Sequence, residues 1–158
     1  MNVPRHAPGP RHRTSVDGVL LRSALLGVAA GCRASLGVAA PVLTSDVPRL
    51  VRLTARAGVA GELIGDKLPS TPSRLLPPSP QGRIVSGATG AVALARRARR
   101  PVWSAAGLGA LGAAAGTWGG AAWRSWAGRR GPDWRGALVE DAVAVGLAAV
   151  ACRRGRVR

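Results

Sequence analysis

Between Pro101 and Trp123 the chain runs 23 residues without a charge, with Arg96, Arg97, Arg99 and Arg100 on one side and Arg124 on the other. A helix of that length rises about 34 Å, enough to cross a hydrocarbon core of roughly 30 Å. Its side chains are mostly small. Only Val102, Trp103, Leu108, Leu111, Trp118 and Trp123 are large, and Gly112, Gly116 and Gly120 recur every four residues on one face. In water each interior glycine would cost a helix about 1 kcal/mol against alanine and bury little in return. In lipid the same residues let two backbones approach closely. Trp103 and Trp123 stand at the ends, where interfacial aromatics belong. The stretch is therefore read as a membrane helix whose glycine face packs on another helix.

Composition supports that environment. The 158 residues contain no Phe, no Tyr and one Met, with Ala and Gly in excess, so large side chains for a water-soluble core are scarce. The net charge of +16 comes from 22 Arg, a single Lys and seven acids, a balance that raises nucleic acid as a partner. The arginines bracket apolar segments instead of forming a stripe, and no aromatics interleave with them as a base-stacking platform requires. No nucleic-acid partner is expected; the lipid bilayer, with anionic head groups at its basic loops, is. Cys32 and Cys152 form no CxxC pair, and His6 and His12 have no acid or Cys at metal-ligand spacing, so neither metal nor cofactor is expected. Gly61, Gly65 and Lys67 suggest a phosphate loop but lack its GK[ST] ending. With no nucleophile elbow and no HExxH, the chain is read as non-enzymatic.

Residues 1–15 carry Arg5, Arg11, Arg13 and three prolines and are read as a disordered basic tail; residues 153–158 form a second one. Between them, 16–152 is read as one all-α membrane domain of four spans plus a short re-entrant or fifth helix. The first span covers 18–43, with Gly27, Gly31 and Ser35 spaced by four and Arg33 in its middle, where a charge costs about 2.5–3.5 kcal/mol on insertion scales and calls for a carboxylate partner. A second helix, 49–68, carries Arg49, Arg52 and Arg56 early and Glu62 and Asp66 late, both against the helix dipole. Those charges therefore need outside partners, and Arg33, Lys67 and Arg74 are the candidates. The apolar piece 84–95 reaches only about 18 Å as a helix and is read as re-entrant. Spans at 102–123 and 134–152 complete the set, the last beginning after Asp133 as N-cap and carrying Glu140 and Asp141 about two turns in. With four crossings, both termini and the 67–100 loop share a side with 14 Lys and Arg, against five for Arg49 and the 124–135 loop, so both termini are expected in the cytoplasm of a bacterial inner membrane.

The run Gly61-Glu62-Leu63-Ile64-Gly65-Asp66-Lys67-Leu68-Pro69-Ser70-Thr71-Pro72-Ser73-Arg74 resembles the signature of the DUF4126 domain, a family of small bacterial integral membrane proteins. Gly31-Cys32-Arg33-Ala34-Ser35 is similar to that family's Gly-x-Arg-Ser-type segment, with Ala34 where Ser is expected. Gly82-Arg83-Ile84-Val85-Ser86-Gly87-Ala88 and Val139-Glu140-Asp141-Ala142 match in the expected order. The resemblance implies location and architecture, and no activity.

Function must then be argued from the charges. Arg33, Glu62, Asp66, Lys67, Arg74, Glu140 and Asp141 form the candidate buried cluster, and such groups usually line a cavity or pair with each other. That favours a transporter- or channel-like bundle. The alternative is a non-catalytic assembly protein whose glycine faces, Gly27, Gly31, Gly112, Gly116 and Gly120, pack on a second copy or another membrane subunit.

Overall fold

The computed structural model describes residues 16–65 and 75–153, and over them the chain is all-helical. Six helices follow in order: α1 (Val16–Cys32), α2 (Ala34–Leu43), α3 (Arg49–Gly65), α4 (Ser79–Arg97), α5 (Val102–Gly128) and α6 (Asp133–Cys152). The tail expected at 1–15, residues 154–158, and Asp66, Lys67 and Arg74 lie outside the described residues.

Successive helices run in alternating directions. α4 runs against α1, since Gly87 lies against Gly27 and Arg83 reaches Gly31. α2 runs with α4, from Ser86 at Ala34 to Arg97 at Pro41 and Ser45. α3 returns until Glu62 meets Ala34, α5 descends beside α1 with Gly109 opposite Gly27 and Gly116 opposite Gly31, and α6 climbs back from Asp141 at Arg33. The start of α1, the α2–α3 turn, the α4–α5 turn and the end of α6 thus share one end of the bundle. In the expected arrangement Arg49 lay opposite the termini; here it lies at the end that holds the start of α1 and the end of α6.

The physical reason is the break at Arg33. A single helix over 18–43 was expected, but Arg33 is extended (φ −139°, ψ 105°) and α2 folds back along α1. No proline or glycine run in the sequence marks this reversal. It is stabilised by side chains from α3, α4 and α6, described below. The segment expected to be re-entrant, 84–95, instead belongs to a 19-residue helix, because Pro80 sits in its first turn, where proline is pre-organised for helix and lacks only an N–H that would be unbonded anyway. Arg96 and Arg97 close α4 on the side its dipole favours. α5 continues past Arg124 to Gly128, about 40 Å in all. Pro132, not Asp133, occupies the N-cap of α6.

Among the described residues no helix is long and apolar enough to cross a membrane. α5 has the length, but its many glycines and tryptophans lower its mean hydropathy. The break leaves α1 and α2 with 17 and 10 residues, and α3, α4 and α6 carry charges within their lengths.

Packing relies on missing side chains. A Cβ on Gly27 would land on the Gly109 carbonyl, one on Gly31 on the Ala113 carbonyl, one on Gly112 on the Ala24 carbonyl and one on Gly116 on the Val28 carbonyl. This interface of α1 with α5 is the most extensive in the fold, and Gly120 is buried along the same helix. α2 and α4 approach as closely at Gly37 and Gly90. Pro41 lacks the N–H that would bond the Gly37 carbonyl, and a Cβ on Gly90 would land on that carbonyl, so only glycine allows the approach. The filled core is mostly alanine around Leu26 and Leu36, while α3 has no buried residue and leans on α2.

Candidate functional site

A helix reversal leaves orphaned carbonyls at the end of one helix and orphaned amides at the start of the next. At Arg33 the carbonyl set is buried and the amide set partly so, and both are met by charged side chains. The Arg83 guanidinium, from α4, donates to the carbonyls of Gly31 at 2.8 Å and Cys32 at 2.7 Å. The Glu62 carboxylate, from α3, accepts from the amides of Ala34 and Ser35, each at 2.7 Å, filling the anion site that the first turn of α2 presents. Arg83 and Glu62 also pair with each other at 3.6 Å, and the Ser86 hydroxyl donates to the Ala34 carbonyl. Thr117, from α5, donates to Ala113 at 2.8 Å and lies 3.4 Å from the Gly31 carbonyl.

Arg33 itself points away, into the core. Only 2% exposed, it donates from Nε to Asp141 Oδ1 at 2.7 Å, with its terminal nitrogen on the same oxygen. Glu140, the residue before Asp141 on α6 and 4% exposed, pairs with Arg124 at 3.7 Å. Three guanidinium groups thus face three carboxylates, which offsets much of the desolvation each would suffer alone.

Glu62 and Asp66 were expected to meet Arg33, Lys67 or Arg74. Among the described residues Arg33 meets Asp141 and Glu62 meets Arg83, because the reversal aims the Arg33 side chain at α6 while exposing the α2 amides to Glu62. Glu62 and Arg33 therefore lie at one site without pairing. Glu140 pairs with Arg124, and the expected members Asp66, Lys67 and Arg74 fall outside the described residues. The residues missed were Arg83 and Ser86. Read as the edge of a short segment, Arg83 looked like a flanking charge; the Ser79-Pro80 helix start would have placed it a turn inside. The glycines expected to pack, Gly27, Gly31, Gly112 and Gly116, meet each other within this chain.

Among the described residues no group of His, Cys, Asp or Glu is arranged to hold a metal ion. No family model matches the chain, and neither a curated protein nor a solved structure matches it.

Proposed function

We propose that the chain is a small multi-pass membrane protein of transporter- or channel-like design, with Arg33, Glu62, Arg83, Glu140 and Asp141 as its embedded polar site. One observation carries the reading: polarity is inverted. Arg33, Arg83, Glu140 and Asp141 are buried, whereas Leu21, Val38, Leu111, Trp118, Leu138 and Val145 face outward. In water such an exterior invites aggregation, and in lipid it is the side that meets solvent. A hairpin that reverses inside the bundle, with its backbone ends held by protein, is the kind of irregular backbone that membranes tolerate and transporters use. The end that holds the start of α1 and the end of α6 carries Arg49, Arg96, Arg97, Arg99, Arg100 and Arg153, and by the positive-inside rule this charge supports a cytoplasmic orientation for that end in a bacterial membrane. The segments that resemble DUF4126 supply Arg33, Glu62, Arg83, Glu140 and Asp141, so kinship with that family is part of the proposal.

Carbonate extraction tests the location: the chain should stay with membranes, and release into the soluble fraction would refute it. Proteoliposomes test the activity, using a panel of protons, monovalent cations and small anions. Wild-type flux above that of empty vesicles should vanish in Asp141→Asn while helical content survives. Vesicles no leakier than empty ones refute transport.

A second reading, a membrane assembly protein, draws on Gly107 and Gly119, which face open space on the outside of α5. A homodimer in mild detergent that Gly119→Leu disrupts would favour it.

A further inference from the structure

The buried arginines at the hairpin each have a carboxylate, and against that pattern Arg52 stands out. It sits half-buried at the end of the first turn of α3, in the wall of a cleft between the end of α2, the start of α3 and the end of α6. Its Nε is buried without a hydrogen-bond partner, and its terminal nitrogen has one long contact, 3.5 Å, to the Val47 carbonyl. Among the described residues no carboxylate pairs with it.

We propose that this cleft binds a phosphate ester. Its volume, about 580 Å³, lies within the range of small-ligand sites and exceeds what a bare phosphate would fill. Arg52 and Arg153 line it together with the Thr44 and Ser45 hydroxyls, and Asp46 is the one acid of the lining. Outside the lining, the exposed Arg97 donates to the Pro41 carbonyl at 2.6 Å and to Ser45, which brings a third guanidinium close to the cleft. Arg97 and Arg22 lie within electrostatic reach of Cys152 in the same wall. Several cations against one exposed carboxylate make a positive concavity, and planar guanidinium forks match phosphate oxygens in pairs.

The ester can come from a lipid head group or from a soluble metabolite, and the cleft's place at the arginine-rich end of the bundle suits either. The inference does not depend on transport. Full-length protein in neutral detergent is titrated with glycerol 3-phosphate by calorimetry, and its retention of phosphatidylglycerol over phosphatidylcholine is read by native mass spectrometry. Binding in the first arm alone marks a soluble ester, and in the second alone a lipid head group. Arg52→Gln should weaken whichever binding occurs at least tenfold, while Arg49→Gln, an exposed charge outside the cleft, should change it less than twofold. If Arg52→Gln does not fold, Arg153→Gln at the exposed rim should still weaken binding about threefold. Absence of binding in both arms overturns the proposal, as does equal weakening by Arg52→Gln and Arg49→Gln, which would mean diffuse surface charge.

Discussion

Two helical hairpins in this chain turn in opposite surroundings. α5 and α6 reverse over Arg129–Pro132 at the open end of the bundle. There the backbone closes on itself, the amides of Arg130 and Gly131 donating to the Ala127 carbonyl at 3.0 and 3.1 Å. The side chains spread into an outer layer: Trp123 stacks on Trp126 at 5.2 Å and donates to the Gly136 carbonyl, Arg130 lies 4.0 Å over Trp126, and Arg135 lies 5.3 Å from Trp134. α1 and α2 reverse on one residue inside the bundle, where water cannot serve, and the backbone ends draw their partners from α3 and α4. A turn's location therefore decides whether it is a local event or one that commits distant residues. In the second case the fold, the charge pairs and the reversal stand or fall together.

The largest effect should follow from removing a charge at the inner turn. Asp141→Ala removes the carboxylate that the buried Arg33 Nε donates to, which should cost about 3–5 kcal/mol in unfolding measurements. The double variant Arg33→Met/Asp141→Ala should recover a good part of that, because two apolar groups replace an ion pair. At the outer turn Arg135→Ala should change stability by no more than about 0.5 kcal/mol. Equal costs at the two turns would erase the contrast.

Next come the glycines that allow the inner turn to nest. Gly116→Leu drives a side chain into the Val28 carbonyl and should destabilise by about 1–3 kcal/mol or more, since α1 and α5 must separate. Gly119→Ala, three residues on and facing open space, should stabilise by up to about 1 kcal/mol through helix propensity. Melting in detergent reads both, and a neutral Gly116→Leu would mean that the two helices are not in contact.

Glu62→Gln is smaller again. The amide keeps one acceptor for the α2 amides but loses the charge that strengthens both bonds, a loss of about 1–2 kcal/mol. Hydrogen exchange should quicken at Ala34 and Ser35 specifically; unchanged protection there would show that α2 holds its start without α3.

The contrast between the turns also explains what could be read in advance. Helix content was legible because apolar runs and proline punctuation are local. Arg33, Glu62, Glu140 and Asp141 stood out because a charge inside an apolar run is costly wherever the chain goes. Their pairing was not legible. It depends on the reversal at Arg33, which Gly31-Cys32-Arg33-Ala34 does not encode locally and which exists only with Glu62 and Arg83 in place. The membrane length argument for 18–43 failed for that reason, since a periodic apolar pattern reads alike whether the helix continues or folds back. Arg83 was obscured by a boundary error of one turn, the commonest kind in reading helices.

The smallest effect tests a turn of a third kind, between α4 and α5, where the backbone itself is strained. Arg99 has φ 52°, in the left-handed region, immediately after the C-cap Ala98. Its amide donates to Arg96 at 3.1 Å and the Arg100 amide reaches back to Ala95 at 2.9 Å, the paired bonds of a Schellman ending. Glycine is the usual residue at that position because a Cβ there costs about 1 kcal/mol. Among the described residues the Arg99 side chain has no hydrogen bond or ion pair to lose. Arg99→Gly should therefore stabilise the protein, by roughly 0.5 kcal/mol once the extra freedom of glycine in the unfolded chain is subtracted. Arg100→Gly, one residue later and outside the left-handed region, should lose stability by a similar amount. If Arg99→Gly is the destabilising one, the arginine is held in place by an interaction at the basic end of the bundle that outweighs its backbone strain, and that end is then more ordered than an exposed turn requires.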